Sequence, residues 1–309
     1  MTSERGSGRR EGRSTAAGRE RRGRGLLATL GRAAALGRAL RREPEGTPKS
    51  EAPPRPPLDA RTLTRLARRA GAIGLTQFRR ASAERSAAGT LVTEADREIE
   101  RWIRSEMGSV APDLAVIGEE LAPTGNAAEG WALAVDPIDG TEAYVAGLPT
   151  WSVSLGLLHR GVPVAGVVYL PAFDDLYLAY GGTLRWNGVE VPPGGVEPQH
   201  TGFVLAYSEF HRRPLLRLRG KVRALGSTAY HLSLVARGAA EAAIIGRVRV
   251  WDVAAGKALL DAVGGELVYL RTGQPVDLSA LLHGAPTRDF MVAARAGATQ
   301  RVLQRIKRR

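Results

Sequence analysis

The chain has 309 residues, 44% of them hydrophobic, enough to bury one large core or two smaller ones. It contains no cysteine, which excludes disulfides, thiolate metal sites and cysteine nucleophiles, and no run approaches the roughly 18 uncharged apolar residues of a membrane span. The formal charge of +13 is uneven: residues 1–57 hold 14 Lys and Arg against 6 Asp and Glu, a net +8, leaving +5 for the other 252 residues, a balance that suits an anionic substrate without requiring a nucleic-acid partner.

Residues 1–57 read as a disordered Arg- and Pro-rich extension, and residues 58–309 as one folded domain. Met1 to Gly25 is almost free of large apolar residues. Leu26 to Arg42 has the spacing of a short basic amphipathic helix, and Glu43 to Pro57 that of a proline-rich linker. Organelle targeting, a nucleic-acid or membrane arm, and a solvated extension all remain open for this segment. It is not a clean secretory signal, because no uninterrupted apolar stretch follows the charged start. The expected location is the cytoplasm.

The first ordered helix is expected from a cap at Asp59 to about Ala81, with Leu63, Leu66, Ala70, Ile73 and Phe78 recurring at helical spacing. A second helix is expected from Glu94 to about Met107. Strands follow at Leu114–Ile117 and Trp131–Val135, then at Ser152–Leu157 and Val162–Tyr169 around a His159-Arg160-Gly161 turn. Leu176–Ala179 and Glu190-Val191 read as further strands, with a hairpin turn at Asn187-Gly188. Phe203–Ala206 reads as a strand, Thr228–Arg237 as a helix, Ala242–Ile245 as a strand and Val253–Val263 as a helix. Strands dominate the middle and alternate with helices later, which points to layered α/β architecture.

Four acidic segments stand out. The densest is Asp136-Pro137-Ile138-Asp139-Gly140-Thr141, directly after an apolar strand. Hard divalent cations take oxygen ligands, and two carboxylates either side of a proline turn can converge on one site. If Gly140 and Thr141 open a helix, their amides point at an anion such as phosphate. Glu119-Glu120 also follows a short strand. Asp252, beside Trp251, and Asp96 lie at helix starts, where capping explains either one taken alone. The five histidines form no HExxH pair, and there is neither a G-x-S-x-G elbow nor a P-loop.

Taken together and in this order, Asp96, Glu119-Glu120, DPIDGT at 136–141 and WDVAAG at 251–256 resemble the inositol monophosphatase-like family of metal-dependent, lithium-sensitive phosphatases. The resemblance runs from about Leu58 to the C-terminus. It implies a layered αβαβα fold, a homodimer, two or three Mg²⁺ ions and a small phosphorylated substrate: an inositol phosphate, a sugar phosphate or a 3′-phosphonucleotide. It also implies roles. Glu119, Asp136 and the Ile138 carbonyl would bind the first ion, and Asp136, Asp139 and Asp252 the second. Gly140 and Thr141 amides would receive the phosphate. Asp96 and the Thr141 hydroxyl would orient and deprotonate the attacking water. Glu119, Ile138, Asp139, Gly140, Thr141 and Asp252 would thus also face the substrate.

The sequence departs from the family where substrates are chosen. Ile245 stands where inositol-specific relatives carry a hydrogen-bonding glutamate, Glu142-Ala143-Tyr144 replaces a polar-Asn-Phe run, and Thr90 replaces an aspartate. The run Tyr207 to Arg213 can place a serine and cations near a second anionic group. Two other readings are a catalytically idle binding protein on the same fold, and a nucleic-acid-associated protein acting through the tail.

Overall fold

The structure, a computed structural model, describes residues 54–86, 89–194, 202–212, 216–218 and 220–308. Expectations for residues 1–53 therefore lie outside the described residues.

Helix α1 (Ala60–Gln77) starts where the Asp59 carboxylate accepts the Thr62 N–H at 2.8 Å. Its stripe of Leu63, Leu66, Ala67, Ala70 and Ile73 is buried. The helix stops four residues short of the expected Ala81, because Arg79 takes φ +66°, outside the right-handed helical region. A short antiparallel pair, β1 (Ala83–Arg85) and β2 (Leu91–Thr93), leads into α2 (Glu94–Val110).

Seven strands then follow in chain order: β3 (Ala115–Gly118), β4 (Trp131–Asp139), β5 (Ser152–His159), β6 (Val162–Leu170), β7 (Asp175–Tyr180), β8 (Thr183–Trp186) and β9 (Val189–Val191). They form one sheet in that same order, parallel between β3 and β4 and antiparallel elsewhere. The β5–β6 turn is tighter than expected: His159 belongs to the strand, and Arg160 and Gly161 make the turn with φ of 51° and 81°.

The second sheet collects β10 (Phe203–Ala206), β12 (Lys221–Arg223), β13 (Ala242–Ile245), β14 (Glu266–Tyr269) and β15 (Met291–Ala294) in the order β12-β10-β13-β15-β14. A ribbon of β11 (Leu216–Leu218) and β16 (Ile306–Arg308) stands apart. The remaining helices are α3 (Thr141–Val145), α4 (Thr228–Arg237), α5 (Val250–Asp261) and α6 (Thr299–Arg305).

Period-two alternation in β4 sorts the layers. Leu133 and Val135 face α1 and α2, packing with Leu63, Leu66, Ile99 and Ile103. Ala132 and Ala134 face the opposite core, where Leu232 of α4 and Val253 and Ala254 of α5 meet Ala243, Ile245 and Met291 of the second sheet. Val302 of α6 packs beyond that sheet with Val204, Ile244 and Val292. The result is helices, sheet, helices, sheet, helix: the αβαβα sandwich expected. Because α5 lies between two sheets it is apolar nearly all round, and it begins at Val250 rather than Val253. Its contact with the first sheet is backbone-close. A β carbon on Gly156 would come within 2.5 Å of Ala254 Cβ, and one on Gly166 within 2.6 Å of the Ala255 carbonyl.

Candidate active site

Strand β4 runs past Asp136, where the sequence suggested an end, to Asp139. Pro137 has no N–H to give the ladder, and the register with β5 slips between Asp136, opposite Ser154, and Asp139, opposite Ser152. This irregularity leaves both carboxylates buried at the strand's C-terminal end, with 1% and 7% of their surfaces exposed. Gly140 then takes φ +93°, and α3 begins at Thr141, as its expected helix-opening place requires. A side chain at Gly140 would also press on the Gly226 carbonyl, 3.1 Å from its β carbon.

Asp139 is gripped by the start of α4. Its carboxylate accepts from the Ser227 hydroxyl at 2.6 Å, the Thr228 N–H at 3.1 Å and the Ala229 N–H. The small-residue loop Gly226–Ala229 thus holds a carboxylate, and Gly226 lines the cleft in front of it. Asp136 is different: its Oδ1 is buried with no hydrogen-bond partner.

Asp96 and Asp252 occupy equivalent places on two helices. Each is the third residue of its helix, not the cap. Thr93 caps α2, and Asp96 Oδ2 accepts from the Thr93 N–H and hydroxyl at 2.8 and 2.6 Å. Asp252 Oδ2 accepts the Arg249 N–H at 2.7 Å. Asp96 Oδ1 is buried and unpartnered. The partner seen for Asp96 is Thr93, whereas the Thr141 hydroxyl donates to the Ile138 carbonyl at 3.1 Å.

The electrostatics join these segments. Burial pushes Asp96 and Asp252 up to about 6 and Asp139 and Glu120 up to about 7. Burial also raises Asp136 and Glu119 well above the carboxylate range, reinforced for Asp136 by the charges of Glu119, Asp139, Asp252 and Asp96. The six acids from four segments therefore share one weakly solvated space. Among the described residues no three acid or histidine side chains stand close enough together to hold a metal ion as they are placed. The donor set is nevertheless that of a hard divalent cation: all oxygen, densely anionic, with two buried carboxylate oxygens unpaired.

In front lies a cleft of about 750 Å³, lined by Glu119, Gly140, Thr141, Glu142 and Gly226 and flanked by Arg85 and Arg247. Ile245 is not on it; the side chain is buried in the core between the sheets. Nor does Tyr144 reach the floor: it is buried, and its hydroxyl donates to the Gly74 carbonyl of α1 at 2.7 Å. Ser208 and Glu209 line the cleft, Arg212 is drawn off into a 3.0 Å pair with Glu209, and Arg213 lies outside the described residues.

Sequence reasoning missed what Thr93, Glu100 and His231 do in holding this arrangement, and it gave the loop Gly226-Ser227-Thr228-Ala229 to the substrate rather than to Asp139. Only Thr93 left a signal, since Thr-x-x-Asp opening a helix is a capping-box pattern.

The model of the inositol monophosphatase family matches residues 59–304. A probable inositol 1-monophosphatase of Mycobacterium tuberculosis, ImpA, is 38% identical over 222 residues, 67% of this chain and 81% of the relative. A histidinol-phosphatase of the same organism is 34% identical over 220 residues, 63% of this chain and 82% of the relative. In solved structures the extragenic suppressor protein suhB of Bartonella henselae shares the fold, with TM-score 0.67 at 22% identity, covering 78% of this chain and 95% of that one. With a family model spanning nearly all of the described residues, the chain belongs to the inositol monophosphatase family.

Proposed function

We propose that this phosphoric monoester hydrolase cleaves a small phosphate monoester with the help of divalent cations, Mg²⁺ by the nature of the donors. The observation that carries the reading is the buried anionic cluster with Asp136 Oδ1 and Asp96 Oδ1 unpaired. Such a cluster is costly unless a cation offsets it. Glu119, Asp136 and the Ile138 carbonyl would hold one ion, and Asp136, Asp139 and Asp252 another. The ions, when bound, supply charge neutralisation at the phosphoryl oxygens and acidify the attacking water.

The chain's own groups do the rest. The α4 start fixes Asp139 by three hydrogen bonds. Thr93 occupies Asp96 Oδ2, so Oδ1 is the oxygen that accepts a proton, and its value of about 6 matches that task near neutral pH. The Thr141 hydroxyl steadies the Ile138 carbonyl, and the Gly140 and Thr141 amides at the α3 start receive the phosphate.

The cleft is roomy for a polyol phosphate, and Arg247 has no ion-pair partner among the described residues at its rim. That favours substrates with a second anionic group over inositol 1-phosphate. A homodimer is part of the proposal and is checked by light scattering.

The test is a turnover screen of inositol phosphates, sugar phosphates and 3′-phosphonucleotides with Mg²⁺, with and without Li⁺, on the parent and Asp136→Asn. Asp136→Asn should lower turnover on the order of 10²-fold or more, because a charge shared by two ions is lost. Near-parent activity in that variant would falsify the assignment.

A further inference from the structure

Glu100 is a fully buried carboxylate for which the proposed chemistry has no use. It lies on α2 one turn beyond Asp96. Its Oε2 accepts the Glu120 N–H at 2.8 Å, and its Oε1 accepts the Leu121 N–H at 3.2 Å. Arg104, a further turn along, donates to Oε1 from Nε at 3.0 Å and from Nη2 at 2.7 Å, and Nη2 also donates to the Leu121 carbonyl at 3.0 Å. On the other side of Glu119, the backbone of Gly118 runs against the same carboxylate: a β carbon there would sit 2.0 Å from Oε1.

A buried ion pair adds little net stability by itself, because desolvation offsets its attraction. What distinguishes this pair is where its other hydrogen bonds go. All of them are made to the backbone on the C-terminal side of Glu119, and the glycine contact fixes the N-terminal side. Asp96 rides on the same helix four residues earlier. One rigid helix therefore carries Asp96 directly and holds Glu119 by its flanks.

We infer that Glu100, with Arg104, is a positioning pair that sets the Glu119 carboxylate in register with Asp96. The inference rests on the proposed cation-binding role of Glu119. Outer partners of this kind set the geometry of metal-binding side chains, and their loss typically lowers affinity 10- to 100-fold.

The test uses the full-length chain and three variants, Glu119→Gln, Glu100→Gln and Arg104→Lys. Mg²⁺ binding is titrated by calorimetry, and amide exchange is followed in EDTA. Glu119→Gln should weaken Mg²⁺ binding. Glu100→Gln should raise the Mg²⁺ dissociation constant about tenfold or more and speed exchange at the Glu120 and Leu121 amides, leaving Leu133 and Val135 protected. Arg104→Lys, which keeps the charge but loses the fork, should fall between Glu100→Gln and the parent. If Glu119→Gln loses affinity while Glu100→Gln binds Mg²⁺ like the parent, the positioning role is overturned. If Glu119→Gln itself binds like the parent, the ligand assignment fails and the positioning role falls with it. Should Glu100→Gln not fold, Arg104→Lys decides: parent-like affinity and exchange there overturn the inference.

Discussion

His231, in the first turn of α4, is buried, and its Nε2 accepts the Leu225 N–H at 3.0 Å. The ring is therefore neutral at Nε2, and burial lowers its pKa to about 4. An unfolded chain binds that proton near pH 6.5, so acidification from about 6.5 to 4 favours unfolding through this group. What the ring anchors matters, because the residues just after Leu225 present Gly226 to the cleft and Ser227 to Asp139. His231→Leu leaves the Leu225 N–H without its acceptor and should cost about 1–3 kcal/mol in urea unfolding at pH 7. His231→Gln keeps an acceptor and should cost less, while flattening the acid limb between pH 4 and 6.5. Equal losses in the two variants would show that the hydrogen bond is not what the imidazole provides. At this scale the acids were legible, because carboxylates after apolar strands and at helix starts form a pattern along the chain. The partners of His231, Ser227 and Glu100 were not. A buried polar side chain is defined by its partner, and Ser227 meets Asp139 across 88 positions of sequence.

Between elements, the close approach of α5 to the first sheet is what brings Asp252 to the end of β4. Gly156 and Gly166 remove side chains from β5 and β6 where Ala254 and Ala255 of α5 lie flat against them. On the other side, a β carbon at Gly256 would come within 2.3 Å of Leu232 of α4. Gly156→Ala forces a β carbon to within 2.5 Å of Ala254, and the helix must back away. The expected cost is about 1–3 kcal/mol, accompanied by weaker Mg²⁺ binding because Asp252 moves with its helix. Gly130→Ala is the control: nothing lies within 4 Å of its β carbon, so stability and binding should stay near the parent. A destabilised Gly156→Ala that binds Mg²⁺ unchanged would show that α5 yields without moving Asp252. The central strands were legible because they alternate or run apolar between turn residues. Helix α5 was read three residues late because burial between two sheets removes the polar face that marks a helix in sequence. Strands β1 and β2 carry three residues each, too few to show a period, and pairing alone defines them.

Across the whole molecule, the acids make folding of the metal-free chain depend on pH in an unusual direction. Ordinary paired carboxylates have depressed pKa values and stabilise a protein as pH rises. Here Asp96 and Asp252 are raised to about 6, Asp139 and Glu120 to about 7, and Asp136 and Glu119 beyond the normal range. The unfolded chain releases these protons near pH 4, whereas the folded chain retains them, so stability falls as pH rises from about 4 through 7 and stays low above. His231 works the other way below 6.5, but it is one group against six. In EDTA the melting temperature should therefore be higher near pH 5.5 than at pH 8. Cations bind the deprotonated acids, so added Mg²⁺ should raise it more at pH 8 than at pH 5.5. Asp136→Asn separates cluster repulsion from general alkaline effects. It removes the carboxylate that four others repel, so in EDTA at pH 8 the variant should melt above the parent while losing most of the Mg²⁺ response. A variant that melts below the parent in EDTA at pH 8 would mean that Asp136 is held by contacts worth more than the repulsion it suffers. The cleft would then be a stabilised acidic core rather than a strained site that divalent ions complete.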